Sequence, residues 1–222
     1  MRPLPVSHSS LDKFETCPRQ YHEVKVIKRY KDTQGVEALW GDYVHVSMEH
    51  YLKGDRDLPH DLTGYKPYLD AILAQEGTLH VELSLAINKR LEVCGFDDPD
   101  VFIRGYADFV RIRGNKAWAG DHKTGKQKFN SKQMKLMALL IFYHFPEVDW
   151  IRVGFFWLKV DKRDTDTFIR GQLDDLWGEF MPSLTQYRQA FKEDVWQPRQ
   201  SGLCYGFCPV TQCEFWKPKR NR

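Results

Sequence analysis

Apolar side chains at Leu79, Val81, Leu83, Leu85 and Ile87 alternate with Glu82, Ser84 and Ala86. This is the period-two pattern of a half-buried strand, because successive side chains on an extended backbone point to opposite faces. A second extended segment runs from Val101 to Arg113, turns at Gly114-Asn115 and returns from Lys116 to Lys123 as a hairpin. Three consecutive strands fix a sheet around which the rest must be arranged.

The flanking segments read as helices. Ser9 or Ser10 caps a short one carrying Leu11, Phe14, Cys17 and Tyr21, which Pro18 should end or kink. From Val36 to Lys53, Leu39, Tyr43, Val46 and Tyr51 recur at helical spacing, with Gly54 as the stop. Ser131–Phe145 is a helix stopped by Pro146, Trp150–Val160 a buried strand, and Phe168–Phe191 a long amphipathic helix before an irregular tail. The expectation is an α/β fold in αβββαβ order, with a mixed central sheet flanked by helices. With 222 residues it is read as a single domain: a helical part at 9–76, a core at 79–160 and a helix with a cysteine-bearing tail at 167–222.

Composition sets further bounds. The longest apolar stretch, Met137 to Phe145, is too short to span a bilayer, and the start Met-Arg-Pro-Leu-Pro lacks the apolar core of a signal peptide. The expectation is a cytoplasmic protein without membrane contact. A net charge of +3 from 33 basic and 30 acidic residues does not by itself announce a nucleic-acid partner, so local clustering must decide. In a reducing compartment the five cysteines serve as free thiols or metal ligands rather than disulfides.

The hairpin carries the chemistry. Asp121 and Lys123 are two apart and project from one face of their strand, and Asp108 on the preceding strand can lie beside them. Two carboxylates can hold Mg²⁺ or Mn²⁺, which would polarise a phosphodiester and acidify an attacking water, while an ammonium stabilises the developing charge. The loop after Lys123 adds Lys126, Lys128 and Lys132, for which DNA phosphates are a natural partner.

Gly105-Tyr106-Ala107-Asp108 followed by Asp121-His122-Lys123-Thr124-Gly125 resembles the PD-(D/E)XK nuclease superfamily in its RecB and Cas4-like branch. Gly41-Asp42-Tyr43-Val44-His45-Val46-Ser47-Met48-Glu49 resembles that branch's helical histidine motif, which implies His45 as a metal ligand. Glu82 stands where a strand glutamate is often seen upstream of the aspartate. Gln133 matches the glutamine of a Gln-x-x-x-Tyr motif, although Met137 occupies the tyrosine position. The resemblance implies catalytic Asp108, Asp121, Lys123 and Gln133, with metal held by His45, Asp108, Asp121 and the backbone carbonyl of His122.

Cys17 near the start and Cys204, Cys208 and Cys213 near the end could form a four-thiolate site for a [4Fe-4S] cluster or a structural zinc. The Cas4 and AddB nucleases have this one-plus-three arrangement around a [4Fe-4S] cluster, though the spacings Cys204 to Cys208 to Cys213 depart from their usual pattern. Lys217, Lys219, Arg220 and Arg222 make the terminus a further DNA-contact candidate. The resemblance implies an exonuclease acting on DNA ends or single strands, with a recombination or helicase protein as a partner. A structure-selective or nicking endonuclease, and a non-catalytic DNA-binding subunit of a recombination complex, are the alternatives.

Overall fold

The computed structural model describes residues 2–31 and 35–219, so the expected contacts of Arg220 and Arg222 lie outside the described residues. The chain divides into two compact units, one built from both ends of the sequence and one from its continuous middle, with the boundaries near residues 34 and 178.

The middle unit is built on a five-stranded mixed sheet in the order β1 (Thr78–Asn88), β2 (Val101–Arg113), β3 (Lys116–Lys123), β4 (Trp150–Trp157) and β5 (Lys162–Ile169). All neighbours are antiparallel except β3 and β4, which are parallel. That one parallel pair requires a crossover, and the helix Ser131–His144 supplies it. Numbering helices along the chain as α1 (His8–Thr16), α2 (Pro18–Tyr21), α3 (Val36–Lys53), α4 (Lys66–Leu73), α5 (Ser131–His144) and α6 (Leu173–Glu193), the order α3-β1-β2-β3-α5-β4 reproduces the expected core. The expected three strands, turn and crossover helix are all present. Neither α4 nor β5 was expected; β5 fills the stretch between the strand read to Val160 and the helix read from Phe168, and takes the first two residues of that helix.

α3 runs from Val36 to Lys53 and stops at Gly54, whose φ of 74° is the left-handed conformation open to glycine. Its buried face, however, is Val44, Met48 and Leu52, while Leu39, Tyr43 and Val46 are exposed. The apolar spacing located the helix but not its buried side. Val44, Met48 and Leu52 pack with Leu62, Leu69, Ile72 and Phe109, and with the partly buried Leu79 and Val81 of β1. Arg111, buried in β2, donates to the carbonyls of Ile72 and Gly77 and so ties the end of α4 to the sheet.

The alternation in β1 is interrupted in space although not in sequence. Val81 pairs with Phe109 and packs on the α3–α4 side, whereas Leu85 pairs with Gly105, whose face meets Leu140 of α5. Residues four apart on an undisturbed strand share a face. The exchange occurs at Glu82, which has a φ of 50° and lies between the paired positions Val81 and Leu83, opposite Asp108. A left-handed non-glycine residue costs on the order of 1–3 kcal/mol and persists where surrounding structure enforces it. Here it re-aims the ribbon at Asp108.

The unit formed by the two ends has an aromatic core. Ser7 caps α1 through a reciprocal pair with Ser10, two to three residues before the serines expected to do so, and Pro18 begins α2 after α1 ends at Thr16. Phe14, Tyr21, Tyr187, Phe191 and Trp196 meet largely edge to face. The Tyr21 and Tyr187 hydroxyls are 2.7 Å apart and buried, and Tyr187 also donates to the Leu4 carbonyl.

Gly120 of β3 links the sheet to the site that follows it. A Cβ there would lie 2.1 Å from the Phe109 ring and 2.8 Å from Phe156. Gly120→Ala should therefore force the two rings apart, costing roughly 1–3 kcal/mol and lowering the melting temperature by several degrees. Thermal unfolding followed by circular dichroism checks this; an unchanged midpoint would refute the role given to Gly120.

Candidate active site

Beyond Gly120, β3 presents Asp121 and Lys123 toward α5 and His122 toward α4. Asp121 is buried, and its Oδ2 lies 2.6 Å from the Lys123 ammonium. Gln133, in the first turn of α5, donates to the same Oδ2 and accepts from Lys123 at 3.1 Å. The Asn130 side chain caps α5 by accepting from the Gln133 backbone N–H, which fixes where that glutamine starts. The three residues form a closed triangle. Met137, where the tyrosine of the resembled motif would stand, is buried in the core, and Tyr143 is held by the Trp177 indole.

Asp108 sits opposite this triangle. Its Oδ2 receives the backbone N–H of His122 at 2.5 Å and faces His122 Nδ1 at 3.1 Å, while Oδ1 lies 3.2 Å from His45 Nδ1. On its other edge, His122 Nε2 is 3.0 Å from the Tyr68 hydroxyl. Burial, with the Asp108 charge adding to it, pushes the Tyr68 phenol well above its usual value, so it remains a donor. With Tyr68 donating to Nε2, the His122 Nδ1–H donates to Asp108. Two donors then occupy Oδ2 and leave Oδ1 turned to His45. The His122 imidazole thus acts on the carboxylate that it orients, a part sequence reading did not assign to it; the reading had used only its backbone carbonyl. Tyr68, on α4, was not singled out at all.

The electrostatics follow from two carboxylates confined together. Burial and then the Asp108 charge raise the Asp121 pKa despite Lys123. Burial would also raise Asp108, but its hydrogen bonds and proximity to His122 and His45 win and hold it far below the usual carboxylate range. Glu82 is raised by burial, with Asp108 and Glu49 adding to it. Burial would lower His45, yet the hydrogen bond and charge of Asp108, together with Asp121, bring it to about 8.

Ligand atoms of His45, Asp108 and His122 lie within 4.8 Å of one another. That cluster is one carboxylate with two imidazoles; with the buried Asp121 carboxylate, whose ionisation burial opposes, lying beside it, the donors fit a divalent cation such as Mg²⁺ or Mn²⁺. Lys126 and Lys128 are exposed on the loop leading away from Lys123, and Lys132 is half-buried at the start of α5.

In the unit formed by the ends, Cys17, Cys204, Cys208 and Cys213 line one chamber, closed by Arg199, Ser201, Val210 and Trp216. The backbone N–H groups of Gln20 and Arg199 approach the Cys17 sulfur at 3.5 and 3.4 Å, and that of Ser201 approaches Cys204 at 3.5 Å. Burial raises the Cys208 thiol, with the other three thiols adding to it. No three cysteine sulfurs among the described residues lie within 4.8 Å of one another. Cys94, on a different loop, is not among the chamber residues.

A family model described as the PD-(D/E)XK nuclease superfamily matches residues 5–82, a segment that includes His45 and ends at Glu82. No protein of curated function matches the chain. The crystal structure of SSO0001 superposes on 96% of this chain and 88% of its own with a TM-score of 0.52 at 16% identity, which shows a shared fold. A structure described as "Putative exonuclease" from Eubacterium rectale covers 95% of this chain and 86% of its own, with a TM-score of 0.49 at 11% identity. Among the described residues, no helix is long and apolar enough to cross a membrane.

The raised His45 pKa has a consequence for cation binding. A protonated imidazole cannot ligate, so a cation held by His45 would have to expel its proton below about pH 8. Mn²⁺ affinity should rise about tenfold per pH unit toward pH 8 and then level off. In the cation-free protein the same shift means that the His45–Asp108 contribution to stability is complete below the unfolded value near 6.5 and is lost as pH rises through about 8. Calorimetric Mn²⁺ titrations across this range check the first point; a profile as steep in His45→Ala as in the parent would exclude His45 as its source.

Proposed function

We propose that the chain is a divalent-metal-dependent DNA nuclease of the RecB and Cas4-like type, acting as an exonuclease at free ends or in single strands. The observation that carries the proposal is the Asp121–Lys123–Gln133 triangle facing Asp108. Lone strand-end ion pairs are common and weak. Here the carboxylate is buried, the pair is bridged by a third side chain, and it is set beside a second carboxylate that has its own imidazole partners.

His45, Asp108, Asp121 and the His122 carbonyl would hold Mg²⁺ or Mn²⁺, which when bound supplies charge that polarises the scissile phosphate and acidifies water. Gln133 fixes the Lys123 ammonium against Asp121, so that its charge is in place before any builds on the phosphate. His122 and Tyr68 hold Asp108 in one orientation. Lys126, Lys128 and Lys132 would contact phosphates along the strand.

Asp121→Ala and Lys123→Ala should each lower cleavage of end-labelled DNA with Mg²⁺ or Mn²⁺ by about 10²-fold or more. Equal activity in parent and variants would remove this centre; no cleavage by any of the three would leave a non-catalytic DNA-binding role. A covalently closed circle should survive; its cleavage would replace the exonuclease reading with an endonuclease one.

For the cysteine chamber we propose a [4Fe-4S] cluster. Four thiolates around one zinc ion at about 2.3 Å would bring their sulfurs within about 3.8 Å of each other, closer than the spacing here, whereas a cluster spreads its ligands over four irons. The fit lies in the four converging cysteines and the N–H donors to their sulfurs. Protein purified anaerobically should be brown with absorbance near 400 nm; metal analysis finding zinc alone would overturn the cluster.

A further inference from the structure

The sheet has two faces and α4 covers only part of one. Past its edge lies a hollow of about 480 Å³ lined by Tyr68, Phe109, Trp118, Arg152, Phe156 and Arg163, and it continues beneath Tyr65 and Pro67 into a second of about 530 Å³. Gly120 and Gly154, paired across β3 and β4, keep this face low between the rings.

Cations and aromatic rings alternate over the open strands. Trp118 and Trp150 meet edge to face at 5.8 Å; Lys116 and Arg152 both lie over the Trp150 ring; and Arg163 lies over Tyr68 and Phe156. Among the described residues, no carboxylate pairs with Lys116, Arg152, Lys162 or Arg163; of the carboxylates lining the hollows, Glu76 is paired with Arg113 at 2.7 Å and Asp161 lies at the far end of the second. The acidic residues of β5, Asp164 and Asp166, alternate with Arg163 and Thr165, and Asp164 accepts from the Trp157 indole instead of entering the hollow. Guanidinium groups held over rings without acidic partners complement a strand that offers phosphates and flat bases together.

We propose that this face of β3, β4 and β5 is a binding platform for single-stranded nucleic acid, separate from the active centre on the other side of the sheet. Arg152 and Arg163 take phosphates, and Trp118 offers a stacking surface to a base. Tyr68 joins the two sites: its ring lies beneath Arg163 and its hydroxyl holds His122 behind Asp108. The proposal rests on the reading of the chain as a nucleic-acid enzyme, but binding can be measured without hydrolysis.

The test is fluorescence anisotropy of a labelled oligothymidylate in EDTA, using the full chain and the surface double variant Arg152→Glu/Arg163→Glu, with Trp118→Leu as a second variant. The parent should bind, the double variant should bind at least tenfold more weakly, and its salt dependence should fall by about 1.4 logarithmic units per decade if two phosphate contacts are lost. Trp118→Leu should weaken binding without altering the salt slope. Unchanged affinity and slope in the double variant would overturn the platform. So would a change in oligomeric state on light scattering with DNA affinity intact, which would make this face a protein contact. A parent that cleaves DNA with Mn²⁺ but shows no variant-sensitive binding loses the platform and keeps the nuclease reading; a parent that binds through these residues but never cleaves does the reverse.

Discussion

Asp108 and Asp121 are confined together on neighbouring strands, and much of the middle unit can be understood as the means of keeping two carboxylates there. Leaving water is costly for each, and their mutual repulsion makes the pair worse. Lys123 and Gln133 answer Asp121 from β3 and α5; the His122 N–H, the His122 ring and His45 answer Asp108 from β3 and α3. The six side chains come from four elements, so the crossover helix, the hairpin and α3 all have to be in place before the charges balance. Even then Asp121 is left with a raised pKa, the remainder that a cation would neutralise.

Much of this was legible in the sequence because the strand period does the geometric work. Asp121 and Lys123 had to share a face, and the Gly114-Asn115 turn had to bring β2 alongside β3. Gln133 was named from its resemblance to the glutamine of a Gln-x-x-x-Tyr motif, as a residue positioning substrate or water; its contacts with Asp121 and Lys123 come from the fold. What escaped was contributed from a distance or by an exception to periodicity. Tyr68 comes from a short helix that nothing in its local pattern connects to β3. The imidazole of His122 alternates to the opposite face from Asp121, and only the tertiary position of α4 gives it a partner.

The errors in fold have the same origin. Leu39, Tyr43 and Val46 keep helical spacing yet point to solvent, because periodicity gives a stripe and only packing says which stripe is covered. β5 was missed because Lys-Arg-Asp-Thr-Asp-Thr-Phe-Ile buries only Phe168 and reads as polar linker. As the edge strand it needs little apolar signal, and its charges discourage further pairing. The face exchange at Glu82 left no trace in the alternation, since an αL residue changes direction without changing the order of apolar and polar letters.

The division of the chain bears on the order in which it can be built. The unit with the carboxylates is a continuous run of sequence, whereas the aromatic core and the cysteine chamber require residues from both ends. During synthesis, Phe14, Cys17 and Tyr21 emerge early and must wait for Tyr187, Trp196 and Cys204, while the intervening strands and helices can already close on themselves. α1 and α2 therefore keep their apolar faces uncovered until the segment carrying Tyr187 and Trp196, more than 160 residues further along, has been made.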